Sequence, residues 1–463
     1  MTGQARTDSR LTRRALLTAA AGGAATVALS RGLPAWARPV ASAVAAVRQP
    51  DSLPFPALPA GTPATSLKQI QHIVVVMMEN HSFDNLLGMV RHEVPGRAQL
   101  DGLRVGPHGL PVEFNLNAAG KRVYARVGAS PCQQSGKPSQ SWNASHKAWD
   151  NGKNDGFVLA SGPVAMELWD QTFMPFTYSL AEFFPIGQRY FCSVMAQTYP
   201  NRRFLFCGTS SGLTATDTLA RSTPVANGTI FDRLDQHKIS WRNYWSDLPM
   251  TPLVIPNYVT PARLASNIKH IGQFYDDASA GKLPQFSLVE PSYAVSSEED
   301  PQDIQFGERF VAKVVNAVIK SPNWKHTALF LTYDEHGGYY DHVPPPAAIA
   351  PDSIAPIQEA GQPALAPGGF NVYGFRVPLI VVSPWARLNY ASSVVQDHTS
   401  IAAFIERKWN LPAMTLRDAN AAPMTDYFEF GKPNFLEPPA LARAPGLATG
   451  LEECVKAGLT PRP

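Results

Sequence analysis

The feature that constrains the fold most is a pair of apolar runs that stop abruptly on oxygen-bearing side chains. The run "HIVVVMM" is followed directly by Glu79 and Asn80. The run "TALFLTY" is followed in the same way by Asp334 and Glu335. Continuous β-branched and apolar runs of this length are typical of strands that are buried on both faces of a sheet. Both runs therefore predict central strands whose last residues leave the sheet as polar ligands.

The rest of the chain alternates strand-like and helix-like patterns. The runs "QFSLV" and "RVPLIVVS" predict two further strands, and "RFVAKVVNAVIKS" and "SIAAFIERKWN" have apolar residues at helical spacing. Apolar strands that alternate with amphipathic helices favour an α/β layered domain with a largely parallel sheet. We predict that this catalytic domain occupies residues 66–435.

The N-terminal segment is typical of an export signal. Within residues 1–37, Arg13 and Arg14 precede a mildly apolar Ala/Gly-rich run, and "AWA" ends the segment as a cleavage site. The paired arginines predict a twin-arginine-type signal and a periplasmic or secreted protein. Residues 38–65, rich in Ala and Pro, are interpreted as a linker, and residues 436–463 as a C-terminal tail.

Charge and cysteine content exclude some classes of function. The segment 1–37 contains five Arg and one Asp, so the formal charge of +3 becomes about −1 without it. A nearly neutral chain lacks the basic footprint of a nucleic-acid-binding protein. The four cysteines have neither C-x-x-C nor zinc-finger spacing, which argues against a cysteine metal site. No stretch after residue 40 approaches the ~20 apolar residues of a membrane span.

The two strand ends predict a metal site. In an open α/β sheet, ligands bind beyond the carboxyl ends of the strands, so the polar residues of both runs should meet at one edge. Three carboxylates without a counter-charge would repel one another, and a divalent cation would resolve this. The predicted metal ligands are Glu79, Asn80, Asp334 and Glu335. Their oxygen donors favour Ca²⁺, Mg²⁺ or Mn²⁺, with Zn²⁺ as the alternative.

A threonine and a histidine are the candidate catalytic residues. In "AQTYPNRRFLFCGTSSG", Thr198 is predicted to be the N-cap of a short helix that ends at Gly208. The N-terminus of a helix attracts phosphate, and a metal could activate the hydroxyl as a nucleophile. A simple helix cap is the other interpretation. His146, in a polar loop-like stretch, could donate a proton to a leaving oxygen or could have a structural role. We expect His398 to be structural.

Two further features carry alternatives. The stretch "GTSSG" matches the G-x-S-x-G elbow of α/β-hydrolases and would make Ser210 the nucleophile of a serine carboxylesterase, although a helical pattern precedes it. Residues 343–370 form a long insertion rich in Pro, Ala and Gly, which predicts either a functional lid or a disordered loop.

Four stretches together resemble one family: "MMENHSFDNLLG", "TYPNRRFLFCGTSSG", "YDEHGGYYDHVPPP" and "DHTSIAAFIERKWN". In this order they resemble the bacterial and plant phosphoesterases, namely non-haemolytic-type phospholipases C and related acid phosphatases of the alkaline phosphatase superfamily. The resemblance extends from about residue 68 to 432. It implies an alkaline-phosphatase-like three-layer α/β/α sandwich, one divalent metal ion and a transiently phosphorylated nucleophile at Thr198.

The resemblance also assigns residues and substrates. It implies that Thr198 joins the four predicted ligands at the metal, that His146 is a pocket histidine, and that "VEPSY" is a further motif. Asp300 and Gln140 occupy positions where the family usually has histidine, which would alter rate, pH optimum or specificity. The implied activity is a phospholipase C on phosphatidylcholine-type lipids, with transient membrane contact, or an acid phosphatase on monoesters. Tyr339, Tyr340 and Phe370 are candidates for contact with lipid chains. A non-catalytic extracellular binding protein with a structural metal is the third possibility.

Overall fold

A large β-sheet built from the predicted apolar runs forms the centre of the protein. The computed structural model describes residues 47–133, 138–359 and 361–446. Its strands, in chain order, are β1 (His72–Met78), β2 (Phe114–Leu116), β3 (Arg122–Tyr124), β4 (Arg126–Val127), β5 (Glu167–Leu168), β6 (Ile186–Gly187), β7 (Trp241–Trp245), β8 (Ile268–His270), β9 (Phe286–Val289), β10 (Thr327–Tyr333), β11 (Leu379–Val382) and β12 (Ala391–Ser392).

The central sheet has eight strands in the order β12-β6-β11-β10-β1-β9-β7-β8. The block from β10 to β8 is parallel throughout, and β11 alone runs antiparallel to its two neighbours. Two small ribbons, β2 with β3 and β4 with β5, lie outside it. The predicted α/β class with a largely parallel sheet is confirmed.

Helices surround this sheet. In chain order they are α1 (Phe83–Leu87), α2 (Val90–Glu93), α3 (Trp142–Trp149), α4 (Phe157–Ser161), α5 (Pro175–Phe183), α6 (Thr198–Cys207), α7 (Ile230–Gln236), α8 (Thr251–Val254), α9 (Pro261–Ser266), α10 (Ile271–Ser279), α11 (Ile304–Ile319), α12 (His398–Trp409) and α13 (Leu416–Asn420). Short 3₁₀ turns lie at Thr65–Leu67, Asp150–Gly152, Pro163–Met166, Thr218–Arg221, Trp324–His326 and Thr425–Tyr427.

The two helices with the clearest sequence pattern are both present, and both begin earlier than the apolar spacing indicates. Helix α11 starts after Asp303, whose side chain accepts a hydrogen bond from the backbone N–H of Gln305. Helix α12 starts after Asp397, which forms a capping box with Ser400. In α12 the cap and the first-turn residues His398 to Ser400 are polar, so periodicity alone places the start too late. In α11 the buried Ile304 belongs to the apolar face and extends it beyond the run that indicated the helix.

The predicted linker and tail are described in part. From Arg48 onwards the described chain forms one compact unit. Arg48 donates to the carbonyl of Ala419, and Ala64 donates to that of Lys408, so this end of the linker packs against α12 and α13. The predicted export signal lies outside the described residues, as does the tail beyond residue 446. Within the described ranges, no helix is both long and apolar enough to cross a membrane.

Candidate active site at the carboxyl edge of the sheet

Strands β1 and β10 bring the two polar strand ends together. They pair in parallel with Met78 opposite Tyr333, so Glu79 and Asp334 leave the sheet side by side. The N–H of Asp334 donates to the carbonyl of Met78 at 3.1 Å. The N–H of Asn80 donates to Oδ1 of Asp334, also at 3.1 Å. The register of the sheet therefore produces the predicted convergence of residues that are 254 positions apart.

The turn after β1 requires a residue that can adopt a left-handed backbone conformation. Asn80 has a φ of 67°, in the left-handed region that Asn and Gly adopt more easily than other residues. Gly337 lies against it so closely that a Cβ would be 1.8 Å from the Asn80 carbonyl oxygen. Gly337 also donates its N–H to Oε2 of Glu335 at 2.8 Å. Glycine is therefore required at this position for space, and its backbone N–H holds the second predicted carboxylate.

Thr198 faces this edge from the start of α6. Its hydroxyl lies 3.5 Å from Oδ1 of Asn80, and the residue is only 6% exposed. The predicted N-cap role is wrong, because Gln197 is the N-cap and Thr198 is the first helical residue. Since its hydroxyl makes no capping bond, it is directed to Asn80 instead. The predicted end of the helix at Gly208, with a φ of 71°, is confirmed.

The carboxylates have a counter-charge that the sequence interpretation missed. Arg202 lies one helical turn after Thr198 and is fully buried. Its Nε is 3.0 Å from Oδ2 of Asp334, and its Nη2 is 3.6 Å from Oε1 of Glu79. The i, i+4 spacing of Thr198 and Arg202 on one helix was the available signal, since it places both side chains on the same face.

The "VEPSY" stretch supports this arginine. Nη1 of Arg202 donates to the Tyr293 hydroxyl at 3.0 Å, and that hydroxyl lies 3.4 Å from Oε1 of Glu290. Asn243 donates to the other oxygen of Glu290 at 2.8 Å. The motif therefore positions the guanidinium group instead of contacting Thr198.

Burial dominates the electrostatics of the edge. It raises the pKa of the Glu79 and Glu335 carboxyls well above their ordinary range, an effect that Arg202 opposes at Glu79. Burial also raises the pKa of Asp334, again against Arg202. Oε2 of Glu79 and Oε1 of Glu335 are buried and have no hydrogen-bond partner among the described residues. Two unpartnered buried carboxylate oxygens beside Asn80 fit the donor set of a hard divalent cation.

A second acidic group lies nearby and was not predicted. Among the described residues, the ligand atoms of Asp84, Asp341 and His342 lie within 4.8 Å of one another, whereas Glu79, Asp334 and Glu335 do not form such a group. The guanidinium group of Arg376 contacts Asp84 at 3.0 Å and Asp341 at 2.8 Å. Since Arg376 and His342 supply positive charge there, this group is an ion-pair network that braces the loop after β10.

His146 lies on α3 and not in a loop. Its Nδ1 donates to the carbonyl of Trp142 at 2.8 Å, and its buried Nε2 has no hydrogen-bond partner in the described chain. Burial lowers the pKa of the ring, so the neutral ring carries a lone pair at Nε2. Gly368 of the long insertion lies against this atom. The predicted role of proton donor stays a prediction, and it requires the ring to be protonated first.

The serine-elbow alternative does not match the local structure. Ser210 follows helix α6 where the elbow requires a strand, and a turn follows it where the elbow requires a helix. The hydroxyl of Ser210 is buried, and no described residue forms a hydrogen bond with it. Ser210 is therefore not presented as a nucleophile.

The aromatic residues in and before the long insertion were expected to meet lipid chains. Phe370 packs in a buried cluster with Trp142 and Phe204. Tyr339 is fully buried, and Tyr340 is half-buried with its N–H donating to Ala165. The expectation of lipid contact is wrong for Tyr339 and Phe370, because both are buried in the core. For the half-buried Tyr340 it stays a prediction.

The remaining predicted positions are structural. His398 donates from Nε2 to the carbonyl of Asp334 at 2.6 Å and contacts the Tyr190 hydroxyl at 2.9 Å, which agrees with its predicted structural role. Both oxygens of Asp300 accept the Tyr339 hydroxyl, at 3.0 and 2.9 Å. The carbonyl of Gln140 accepts a hydrogen bond from Ser145.

Comparison with known proteins defines the class. The model of the phosphoesterase family matches residues 70–412. Non-specific phospholipase C1 of Arabidopsis thaliana is 30% identical over 398 residues, which cover 78% of this chain and 71% of that protein. Non-hemolytic phospholipase C of Burkholderia pseudomallei is 28% identical over 452 residues, covering 82% of this chain but only 61% of that longer protein.

One solved structure is similar at a lower level. A protein in the alkaline phosphatase superfamily from Vibrio parahaemolyticus has a TM-score of 0.38 and 11% identity, covering 80% of this chain and 72% of that one. The family match classes the chain as a phosphoric ester hydrolase, which confirms the predicted class of enzyme. The chain belongs to the phosphoesterase family.

Proposed function

We propose that the chain is an exported, metal-dependent phospholipase C that cleaves phosphatidylcholine-type lipids through Thr198. One observation carries this proposal: the Thr198 hydroxyl, at the start of α6, lies 3.5 Å from Asn80 at the acidic edge of the sheet. The N-terminus of a helix can bind phosphate oxygens through its first backbone N–H groups. At α6, Tyr199 donates its N–H to Thr216 and Pro200 has no N–H, so the N–H of Thr198 itself is the group placed for this role. The relatives named as phospholipases C support a phospholipid substrate.

The metal would be held by the carboxylates and amide at this edge, with Thr198 beside it. The unpartnered oxygens of Glu79 and Glu335 support this assignment. When bound, a divalent cation would supply positive charge to the transferring phosphoryl group. Arg202 is tied to Asp334 and Glu79, so its task is to fix these two carboxylates.

The chain's own residues account for the nucleophilic step. Asn80 accepts the hydroxyl of Thr198 and orients its oxygen. The oxygen of Thr198 forms a bond to phosphorus and loses its proton to solvent, while the bond from phosphorus to the leaving group breaks and the departing alkoxide takes up a proton to become the alcohol. Water then cleaves the phosphothreonine and restores the hydroxyl. The positive end of the α6 dipole stabilises the negative charge of the phosphoryl group during both displacements.

A cavity with room for a phosphodiester head group reaches Gln197, the residue that precedes Thr198, although Thr198 itself does not line it. Its volume is about 400 Å³, and Gln197, Trp142 and Leu365 line it. Asp217 and Glu359 add acidic groups to the same wall. A cavity of this size also accommodates a small monoester, so acid phosphatase activity is the second candidate function.

The test compares two chromogenic substrates with and without EDTA. We expect p-nitrophenylphosphorylcholine to be hydrolysed faster than p-nitrophenyl phosphate, and EDTA to stop both reactions. Thr198→Ala should lower kcat/KM at least about 1,000-fold, as expected for a lost nucleophile. Ser210→Ala is the matched control and should retain activity. A preference for the monoester would favour the phosphatase, and activity that depends on Ser210 would contradict the proposal.

Export requires a separate test, since the signal lies outside the described residues. The proposal rests on Arg13 and Arg14 in the sequence. Replacing both by lysine should leave the enzyme in the cytoplasm, because twin-arginine signals are recognised through that pair. Unchanged export of the Arg13→Lys, Arg14→Lys variant would contradict a twin-arginine route.

A further inference from the structure

In the segment 104–127, apolar side chains are exposed and polar side chains are buried, the reverse of the usual arrangement. Along the extended stretch that includes β2, the exposed positions are apolar and alternate with buried Pro111, Glu113 and Asn115. A strand with one solvated face normally turns its apolar residues inward. We call the outward residues the hairpin face: Leu110, Val112, Phe114, Leu116 and, from β3, Tyr124.

The hairpin face is an ordered surface. Phe114 pairs directly with Tyr124 across the ribbon, and their ring centroids are 5.5 Å apart. The guanidinium group of Arg122 lies 4.5 Å from the centre of the Phe114 ring. Regular cross-strand pairing holds these apolar side chains on one side.

Positive charge accompanies these apolar residues. Segment 104–127 contains four cations and one acid, Glu113, which is buried and paired with Arg104 at 2.9 Å. All four cations are exposed at its rim: Arg104, Lys121, Arg122 and Arg126. Arg126 is paired with Glu167 at 2.6 Å, so Lys121 and Arg122 carry the positive charge that no acidic group of the ribbon offsets. Apolar and aromatic side chains bordered by Lys and Arg are the composition that inserts at an anionic lipid surface. A second copy fits less well, since a two-fold contact would bring these cations together.

The hairpin is anchored to the same edge of the sheet as the site. Oδ1 of Asn115 accepts the N–H of Phe157 at 2.8 Å, and Nδ2 of Asn115 donates to the carbonyl of Asn154. Asn154 in turn donates to the carbonyl of Asp341 at 3.0 Å, in the loop that also carries Glu335. The inward polar residues therefore connect the hairpin to the loop after β10.

We infer that the hairpin face docks the enzyme on a phospholipid bilayer. This inference rests on the proposed phospholipase activity, because docking on a bilayer would bring the active site to its lipid substrate. Leu110, Leu116 and the aromatic pair insert among the head groups, while the rim cations contact lipid phosphates.

The test is co-sedimentation with vesicles of phosphatidylcholine and phosphatidylglycerol, in the Thr198→Ala background so that the lipids stay intact. We expect the double variant Leu110→Ser, Leu116→Ser to lower the vesicle partition coefficient about tenfold or more, because two apolar anchors are lost. The control is Leu264→Ser, Leu388→Ser, which removes two leucines of similar exposure, 57% and 54% against 67% and 45%. The control should bind as the parent does.

Further measurements separate the possible failures. With Thr198 intact, the hairpin variant should hydrolyse soluble p-nitrophenylphosphorylcholine at the unaltered rate, which shows that the site is folded. No binding of the parent protein, or an equal loss in the control, would overturn the inference. A parent dimer that the hairpin variant dissociates would assign the face to self-association instead. Hairpin-dependent binding without hydrolysis of any ester would leave the docking surface standing and reject the proposed function.

Discussion

The hydroxyl of Thr198 and the side-chain oxygen of Asn80 lie 3.5 Å apart although 118 residues separate them in the chain. Asn80 reaches this position because its backbone turns into the left-handed region directly after β1. Thr198 reaches it because it is the first residue of α6, directly after the N-cap Gln197. The relationship depends on one backbone conformation and on one helix start, and both can be tested.

Asn80→Gly should lower kcat/KM about 100-fold, because it removes the group that orients the Thr198 oxygen. Glycine adopts a φ of 67° without strain, so the free energy of unfolding should change little. Asn80→Ala removes the same amide but adds strain, and it should also be less stable. Hydrolysis of p-nitrophenylphosphorylcholine and urea denaturation measure the two effects. Full activity in the glycine variant would show that Asn80 does not orient the nucleophile.

Arg202→Met should lower the free energy of unfolding by about 3–5 kcal/mol, because Glu79 and Asp334 lose their buried counter-charge. Added Mg²⁺ or Ca²⁺ should restore part of this loss by neutralising the same carboxylates. The adjacent Arg203→Met is the matched control, since Arg203 is buried but bonds to carbonyls and to Ser211. The free energy of unfolding that Arg203→Met loses should not be restored by added Mg²⁺ or Ca²⁺. An equal response of both variants would argue against a cation at the acidic edge.

The fold was largely predictable because its signals are local. The strands that the sequence predicted, β1, β9, β10 and β11, are almost entirely apolar, whereas β7, with Arg242 and Asn243, has no such pattern. Parallel strands of an open sheet present their carboxyl ends at one edge. Glu79 and Asp334 could therefore be paired from the sequence. The i, i+4 spacing indicates that Thr198 and Arg202 share one face of α6, but Arg202 was missed because the sequence does not say that this face meets the carboxylates. The buried aromatics were misread because Tyr339 and Phe370 lie in a loop-like sequence, whereas the surrounding chain covers them.

The hairpin face shows a further limit. The alternation from Leu110 to Leu116 is visible in the sequence, but it does not say which of the two faces is buried. Only the contacts of Asn115 with Phe157 and Asn154 show that the polar face is turned inward.

His342 should make stability depend on pH in the alkaline range. Burial opposes the charge on its ring, but Asp84 and Asp101 outweigh this and raise its pKa to about 10. A raised pKa stabilises the fold below the ordinary value of 6.5, and this contribution is lost as the pH rises from 6.5 through about 10. Chemical denaturation should show a decreasing free energy of unfolding over that window.

His342→Gln tests the assignment. It should cost about 3 kcal/mol or more near pH 6, where it leaves Asp84 without one of its partners, and the difference from the parent should narrow above pH 10. The control His108→Gln removes an exposed histidine and should leave the pH profile unchanged. A constant difference between parent and His342→Gln across the window would contradict a charged His342.

Gly368→Ala tests how tightly the long insertion is fitted over His146. A Cβ at this position would lie 2.3 Å from Nε2 of His146 and 3.1 Å from the Trp142 ring, so the ring or the insertion must shift. We expect a loss of about 1–3 kcal/mol in the free energy of unfolding, as for overpacking of a close contact. Gly369→Ala is the neighbouring control, because its nearest atom is Oδ1 of Asn371 at 3.3 Å, at the end of a side chain. Equal melting temperatures for the two variants would show that the insertion yields at this contact without cost.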